Sequence, residues 1–222
     1  MLQTYPWIFE LFIWLIPTLT AVSWREAIKV RLCKLRGDST AHMVGLGSFS
    51  ISKNLDPIGS ALAPIIMILR HKDFIYAWAR ASSVRIGYLK RGKADVILIV
   101  LLTIASNFVM ALGWVGVGYL GKLIGNTETS SFLLSIADAG IKINLLLTVV
   151  HLIPLPPMDI SIVVREFLPR YIKSFYKLFD PIGHYIIYAA ILFQTPFITM
   201  FLTPLLNTIE GNLLAWVGIV LT

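Results

Sequence analysis

Apolar residues gather in long runs along this chain, and short basic stretches separate them. The runs cover residues 6–24, 57–69, 96–120, 132–153 and 182–206, and a last piece covers 213–221. A helix needs about 20 apolar residues to cross a hydrocarbon core of roughly 30 Å. The first, third, fourth and fifth runs read as crossing helices of that kind. The second run is short and contains Pro64, so it reads as a re-entrant segment or as a span completed by its flanks. The last piece is too short to cross as a helix. The expected fold is an all-α membrane protein, a polytopic bundle of about five or six transmembrane segments with a re-entrant or β-loop region after the first. No linker or low-complexity stretch interrupts it, so residues 1–222 read as a single integral-membrane domain. The tetrapeptide DPIG occurs at 56–59 and at 180–183, each time before an apolar run. Asp as N-cap with Pro at the first helical position explains both as helix starts, without a duplication.

Composition points the same way. Hydrophobic residues make up 57% of the chain, charged residues 14%, and mean hydropathy is +0.78. A soluble domain carries about a quarter charged residues. The net charge of +7 fits basic cytoplasmic loops beside anionic lipid, which makes the bilayer the first expected partner and sets nucleic acid aside. Cys33 is the single cysteine, so there is no internal disulfide. The first apolar run lacks a basic leader and a small-residue cleavage site, and reads as a retained span rather than a signal peptide.

Loop charge gives a partial topology. Residues 70–93 hold seven Lys/Arg against one Asp, and 165–180 hold four against two acids, so both should be cytoplasmic. Residues 121–130, with one Lys and one Glu, then face away. Residues 25–56 carry six Lys/Arg, yet a full second span would put them outside. That conflict asks either for a re-entrant second segment or for a local failure of the charge rule.

Ionisable residues inside spans are costly and default to function. Glu10, Arg25, Glu26, Lys29, Asp138, Lys142, His151 and Asp159 are of this kind. Asp138 and Lys142 stand at i,i+4 and read as a mutually neutralised pair near the outer interface. Glu10 reads as interfacial and His151 as a hydrogen-bonded structural histidine. Gly113, Gly116, Gly118, Gly121 and Gly125 form no phosphate loop; small residues there let helices approach closely.

The remaining charges fall on a larger pattern. The stretch SWREAIKVRLCKLRGD places Arg25, Glu26 and Lys29 ahead of Gly37-Asp38. With GDSTAHMVGLGSFSISKNLDPIGSALAP, AWARASSV, IASNF, INLLLTVVHLIPLPPMDIS and LFDPIGHYIIYAAILF, the chain resembles the bacterial-type site-two proteases, intramembrane zinc metalloproteases, over nearly its whole length. The family motif is His-Glu-x-x-His, with Gly-Asp eight residues after the second His. Its two His positions fall on Arg25 and Lys29. The resemblance implies that Glu26 stands at the general-base position and Asp159 at the third zinc-ligand position. It also implies Asn107, Asn144 and His151 as site-lining residues, with His151 replacing an Asn and Ile160 replacing a Gly.

The replacements change the expected chemistry. Two His at i and i+4 share one helix face and can bind one metal. Arg stays protonated and cannot ligate, and Lys could do so only if deprotonated. Zinc is expected from the resemblance alone, and no cofactor is expected from the residues themselves. Arg25 and Lys29 balance Glu26 and Asp159, two charges of each sign, so an ion cluster could stand in for the metal; simple decay of the site is the other reading. Three functions follow. One is a zinc-free pseudoprotease that binds or regulates a transmembrane peptide or membrane protein. The others are an active intramembrane metalloprotease with an unusual Glu/Asp/His site, and a small channel or transporter. The expected location is integral and multi-pass, in a bacterial plasma membrane.

Overall fold

The computed structural model describes residues 6–70, 73–125 and 127–217. The last apolar piece, 213–221, lies partly outside the described residues, as do His71 and Lys72 of the basic stretch 70–93. Among the described residues the fold is all helical, with no strand.

Helix α1, Pro6–Arg36, continues well past the apolar run. The added segment is rich in Ala, Glu, Lys, Arg and Leu, strong helix formers that carry the helix on after hydropathy falls. It stops at Gly37, whose φ of 117° belongs to the left-handed region that glycine tolerates. Lys34 and Arg36 sit in its last turn, where cations favour the helix dipole. Two single turns, α2 (Thr40–Met43) and α3 (Ile51–Asn54), lead to Asp56. The Asp56 carboxylate accepts from the backbone N–H of Ile58 at 3.0 Å and of Gly59 at 2.6 Å, so the first DPIG does start a helix.

That helix is a π-type turn, Pro57–Leu62, running into α4, Ala63–Leu69. The two together rise only about 20 Å. Extended chain then returns beside it. The N–H of Tyr76 reaches Met67 Sδ at 3.2 Å, that of Trp78 reaches the Gly59 carbonyl at 3.1 Å, and that of Arg80 reaches the Asn54 carbonyl at 2.8 Å. The second apolar segment therefore goes in as helix and comes back as buried extended chain, and its two ends lie together beside α1.

Helices α5 (Lys93–Ile124) and α6 (Glu128–Val150) form the central antiparallel pair. Gly140 of α6 meets the Trp114 indole, and the Ser130 hydroxyl donates to the Gly121 carbonyl at 2.8 Å. The core gathers Met67, Ile75, Tyr76, Ile141, Leu145 and Met158 around this pair. Two short helices follow, α7 (Asp159–Phe167) and α8 (Arg170–Lys177). Then come α9 (Gly183–Leu192), a π-type turn (Ile198–Leu202) and α10 (Thr203–Val217).

The expectation of five or six crossing segments is corrected here. Only 3 described helices, within α1, α5 and α6, are long and apolar enough to cross a membrane. The second run fails because its helix is too short. The run at 182–206 fails because the chain turns after α9: Gln194 takes φ 48° and Pro196 follows, which breaks a stretch whose hydropathy alone looks continuous. At the second DPIG, Asp180 accepts from Arg165 Nη1 at 3.1 and 3.4 Å, and Ile182 takes the N-cap position of α9 without a side-chain hydrogen bond.

Candidate functional site

The middle of α1 supplies the first wall. Arg25, Glu26 and Lys29 share one face of the helix and are buried. Opposite them stands Asp159, the first residue of α7, 1% exposed. The α6 helix ends at Val150, and the loop through Pro157 then folds α7 back toward α1.

Four charges meet there. Arg25 Nη2 donates to Asp159 Oδ2, and Lys29 Nζ lies 3.5 Å from Asp159 Oδ1. Lys29 Nζ is 2.8 Å from Glu26 Oε2, and Arg25 Nη1 is 3.6 Å from the same oxygen. The second Glu26 oxygen accepts from the backbone N–H of Ser82 at 2.8 Å and from its hydroxyl. Two cations and two anions thus neutralise each other away from water. Buried charges need such close pairing, because desolvation costs several kcal/mol per ion.

Histidines flank the cluster. His151 Nδ1 accepts from the Asp159 N–H at 3.3 Å and lies 3.9 Å from Asp159 Oδ2, so its Nδ1 lone pair is already used. His184 stacks on Trp78 with centroids 5.2 Å apart, and its Nδ1 is 2.8 Å from the Tyr76 hydroxyl. A cavity of about 340 Å³ opens over the cluster, with Trp78, Ser82, His151 and His184 in its walls.

Each residue singled out in the sequence has a place. Arg25, Glu26, Lys29, Asp159 and His151 come together at the cavity. Asn107 and Asn144 do not line it; they bond to each other across α5 and α6, Nδ2 to Oδ1 at 3.1 Å. Asp138 and Lys142 pair at 2.8 Å, away from the cluster. Asp38, of the Gly-Asp pair, works as a clasp, accepting from the Thr40 hydroxyl at 2.6 Å and the Arg85 N–H at 2.9 Å. Burial opposes its charged form, but these hydrogen bonds outweigh burial and hold the carboxyl below its usual range. Ser82, Trp78 and His184 carry no signal of their own in the sequence. They lie in irregular chain or at a helix start, where no periodicity marks an inward face.

A protein of Bacillus subtilis (strain 168) described as "Putative zinc metalloprotease YwhC" is 26% identical over 181 residues, covering 80% of this chain and 78% of that protein. No family model matches, and no solved structure matches. The chain is thus distantly related to a metalloprotease-like protein.

The donor set does not fit a zinc ion. Catalytic zinc takes about three protein ligands and a water. Here the two helix positions hold Arg25 and Lys29, and both direct their cations at Asp159. Among the described residues no group of three His, Cys, Asp or Glu could hold a metal ion.

Proposed function

We propose that this is a site-two-protease-like protein of a bacterial plasma membrane that binds a transmembrane peptide or protein without metal-dependent cleavage. One observation carries the reading: the Asp159 carboxylate is taken up by Arg25 and Lys29, the two residues at the positions where the resemblance puts His. A guanidinium and an ammonium repel a divalent cation and supply the charge it would have supplied. Glu26, at the general-base position, is held by Lys29 and Ser82 rather than free to work on a water. The cavity beside the cluster, walled by an aromatic ring and by polar groups, is where a partner's chain would sit.

The distant relative's name supports a second reading, an active metalloprotease, and one experiment separates the two. Protein purified in detergent without chelator is assayed for zinc per chain and for cleavage of a tethered transmembrane substrate. The expected result is zinc far below one per chain, no cleavage, and no change in melting temperature with a chelator. A bound metal would add stability by mass action, so its removal would lower that temperature. Near-stoichiometric zinc that disappears in Asp159→Ala, together with cleavage, establishes the metalloprotease instead.

A further inference from the structure

Helix α8 and the turn that continues it through Phe179 present three different faces. Ile172, Tyr176 and Phe179 turn toward the protein and are partly buried, and the Tyr176 hydroxyl donates to the Pro154 carbonyl. Tyr171, Phe175 and Leu178, at i, i+4 and i+7, form a second stripe and are 76%, 62% and 65% exposed. Arg170, Lys173 and Lys177, at i, i+3 and i+7, form a third. With 3.6 residues per turn the apolar and basic stripes diverge by about 130°, a little over a third of a turn. Lys173 lies 3.7 Å from Glu166; among the described residues Arg170 and Lys177 make no ion pair.

The position of the helix says what these faces meet. Phe167, just before α8, lies under Lys93 Nζ at 4.8 Å, and Lys93 is the first residue of the candidate span α5. Helix α8 therefore sits where the apolar bundle gives way to basic chain. A helix with aromatic and aliphatic groups on one side and Lys/Arg on the other suits the boundary between acyl chains and headgroups. The complement of its basic stripe is an anionic headgroup.

We propose that α8 lies in the plane of the membrane surface. Tyr171, Phe175 and Leu178 enter the acyl boundary, and Arg170, Lys173 and Lys177 hold anionic lipid headgroups. The pairing of Arg165 with Asp180 brackets the helix, and these two residues also line the cavity, so the lipid-held helix lies next to the site without lining it. The assignment stands whether or not the site binds a metal.

Spin labels test it in the full chain. On a Cys33→Ser background, Tyr171→Cys, Phe175→Cys, Leu178→Cys, Lys173→Cys and Lys177→Cys are each labelled and placed in nanodiscs of phosphatidylcholine with phosphatidylglycerol. Collision with oxygen should exceed collision with a water-soluble nickel chelate at 171, 175 and 178, and the order should reverse at 173 and 177. In a second arm, Arg170→Gln, Lys173→Gln and Lys177→Gln are combined. The preference for spin-labelled phosphatidylglycerol over phosphatidylcholine should fall by roughly fivefold for each cation that loses its headgroup. Equal nickel access at all five sites places α8 in water and overturns the proposal. Shielding of 171, 175 and 178 from both probes means that protein covers the stripe, and an unchanged lipid preference removes the headgroup contact; either result also overturns it.

Discussion

At the scale of single residues, the main question is how four buried charges coexist. Arg25 answers to Asp159, Lys29 bridges Asp159 and Glu26, and Ser82 satisfies the remaining oxygen of Glu26. Removing one member strands another. Asp159→Leu should therefore cost about 3–5 kcal/mol, the usual penalty for a broken buried pair. Arg25→Leu with Asp159→Leu removes one charge of each sign and leaves Lys29 on Glu26, so it should cost much less than the two single changes summed. A double-mutant cycle on thermal stability in detergent reads that coupling. Additive losses across the four variants would mean that the cluster is held by its surroundings rather than by its own charges. The pattern at 25, 26 and 29 is legible in the sequence, because helical spacing alone puts these residues on one face. Asp159 as their partner is not legible that way, since 130 residues or more separate it from these three; only the resemblance points to it. Ser82 and His184 fall in stretches that carry the resemblance but are not singled out there, because a polar residue outside a periodic helix face looks the same whether it faces water or a carboxylate.

At the scale of elements, hydropathy located helices and misjudged their ends. The α5 and α6 runs are long and uninterrupted, and the structure extends or trims each by only a few residues. α1 outruns its apolar stretch because helix propensity does not fall when charge appears. The 182–206 run breaks because a positive φ at Gln194 and a proline leave no mark on a hydropathy average. The helix pair that organises the rest depends on small residues. A Cβ built on Gly140 would run into the Trp114 indole, and the Asn107–Asn144 bond lies on the same interface. Close approach of this kind is what glycine allows between membrane helices. Gly140→Val should therefore lower stability by about 1–3 kcal/mol, the ordinary cost of overpacking. Trp114→Ala should recover part of that loss in the double variant. If Gly140→Val melts at the wild-type temperature, the two helices are not set by this contact, and the hydrogen-bonded pair carries the register instead.

At the scale of the whole molecule, the structure removes the conflict in loop charge. The sequence placed residues 25–56 outside only by treating the second apolar segment as a full crossing. In the structure that segment turns back, and its two ends meet where the Arg80 N–H donates to the Asn54 carbonyl at 2.8 Å. Arg36 Nε lies 2.8 Å from Asp95 Oδ1, and the Lys90 N–H donates to the Arg36 carbonyl at 2.9 Å, so the end of α1 and the start of α5 share one side. Phe167 under Lys93 brings α7 and the basic α8 to that side as well. The opposite end carries the short connection between α5 and α6, where Lys122 is the one cation in residues 121–130. With Lys and Arg biased to one end, the positive-inside rule predicts that this end is cytoplasmic. Single cysteines on a Cys33→Ser background check this in intact cells. Lys53→Cys and Arg91→Cys should resist a membrane-impermeant thiol reagent until the cells are opened, whereas Thr129→Cys should label at once; all three positions are exposed. Native Cys33, 3% exposed on α1, should label slowly from either side. Labelling of Lys53→Cys from outside while Arg91→Cys stays protected would separate two positions that this fold keeps together. It would mean that the segment between them crosses the membrane after all.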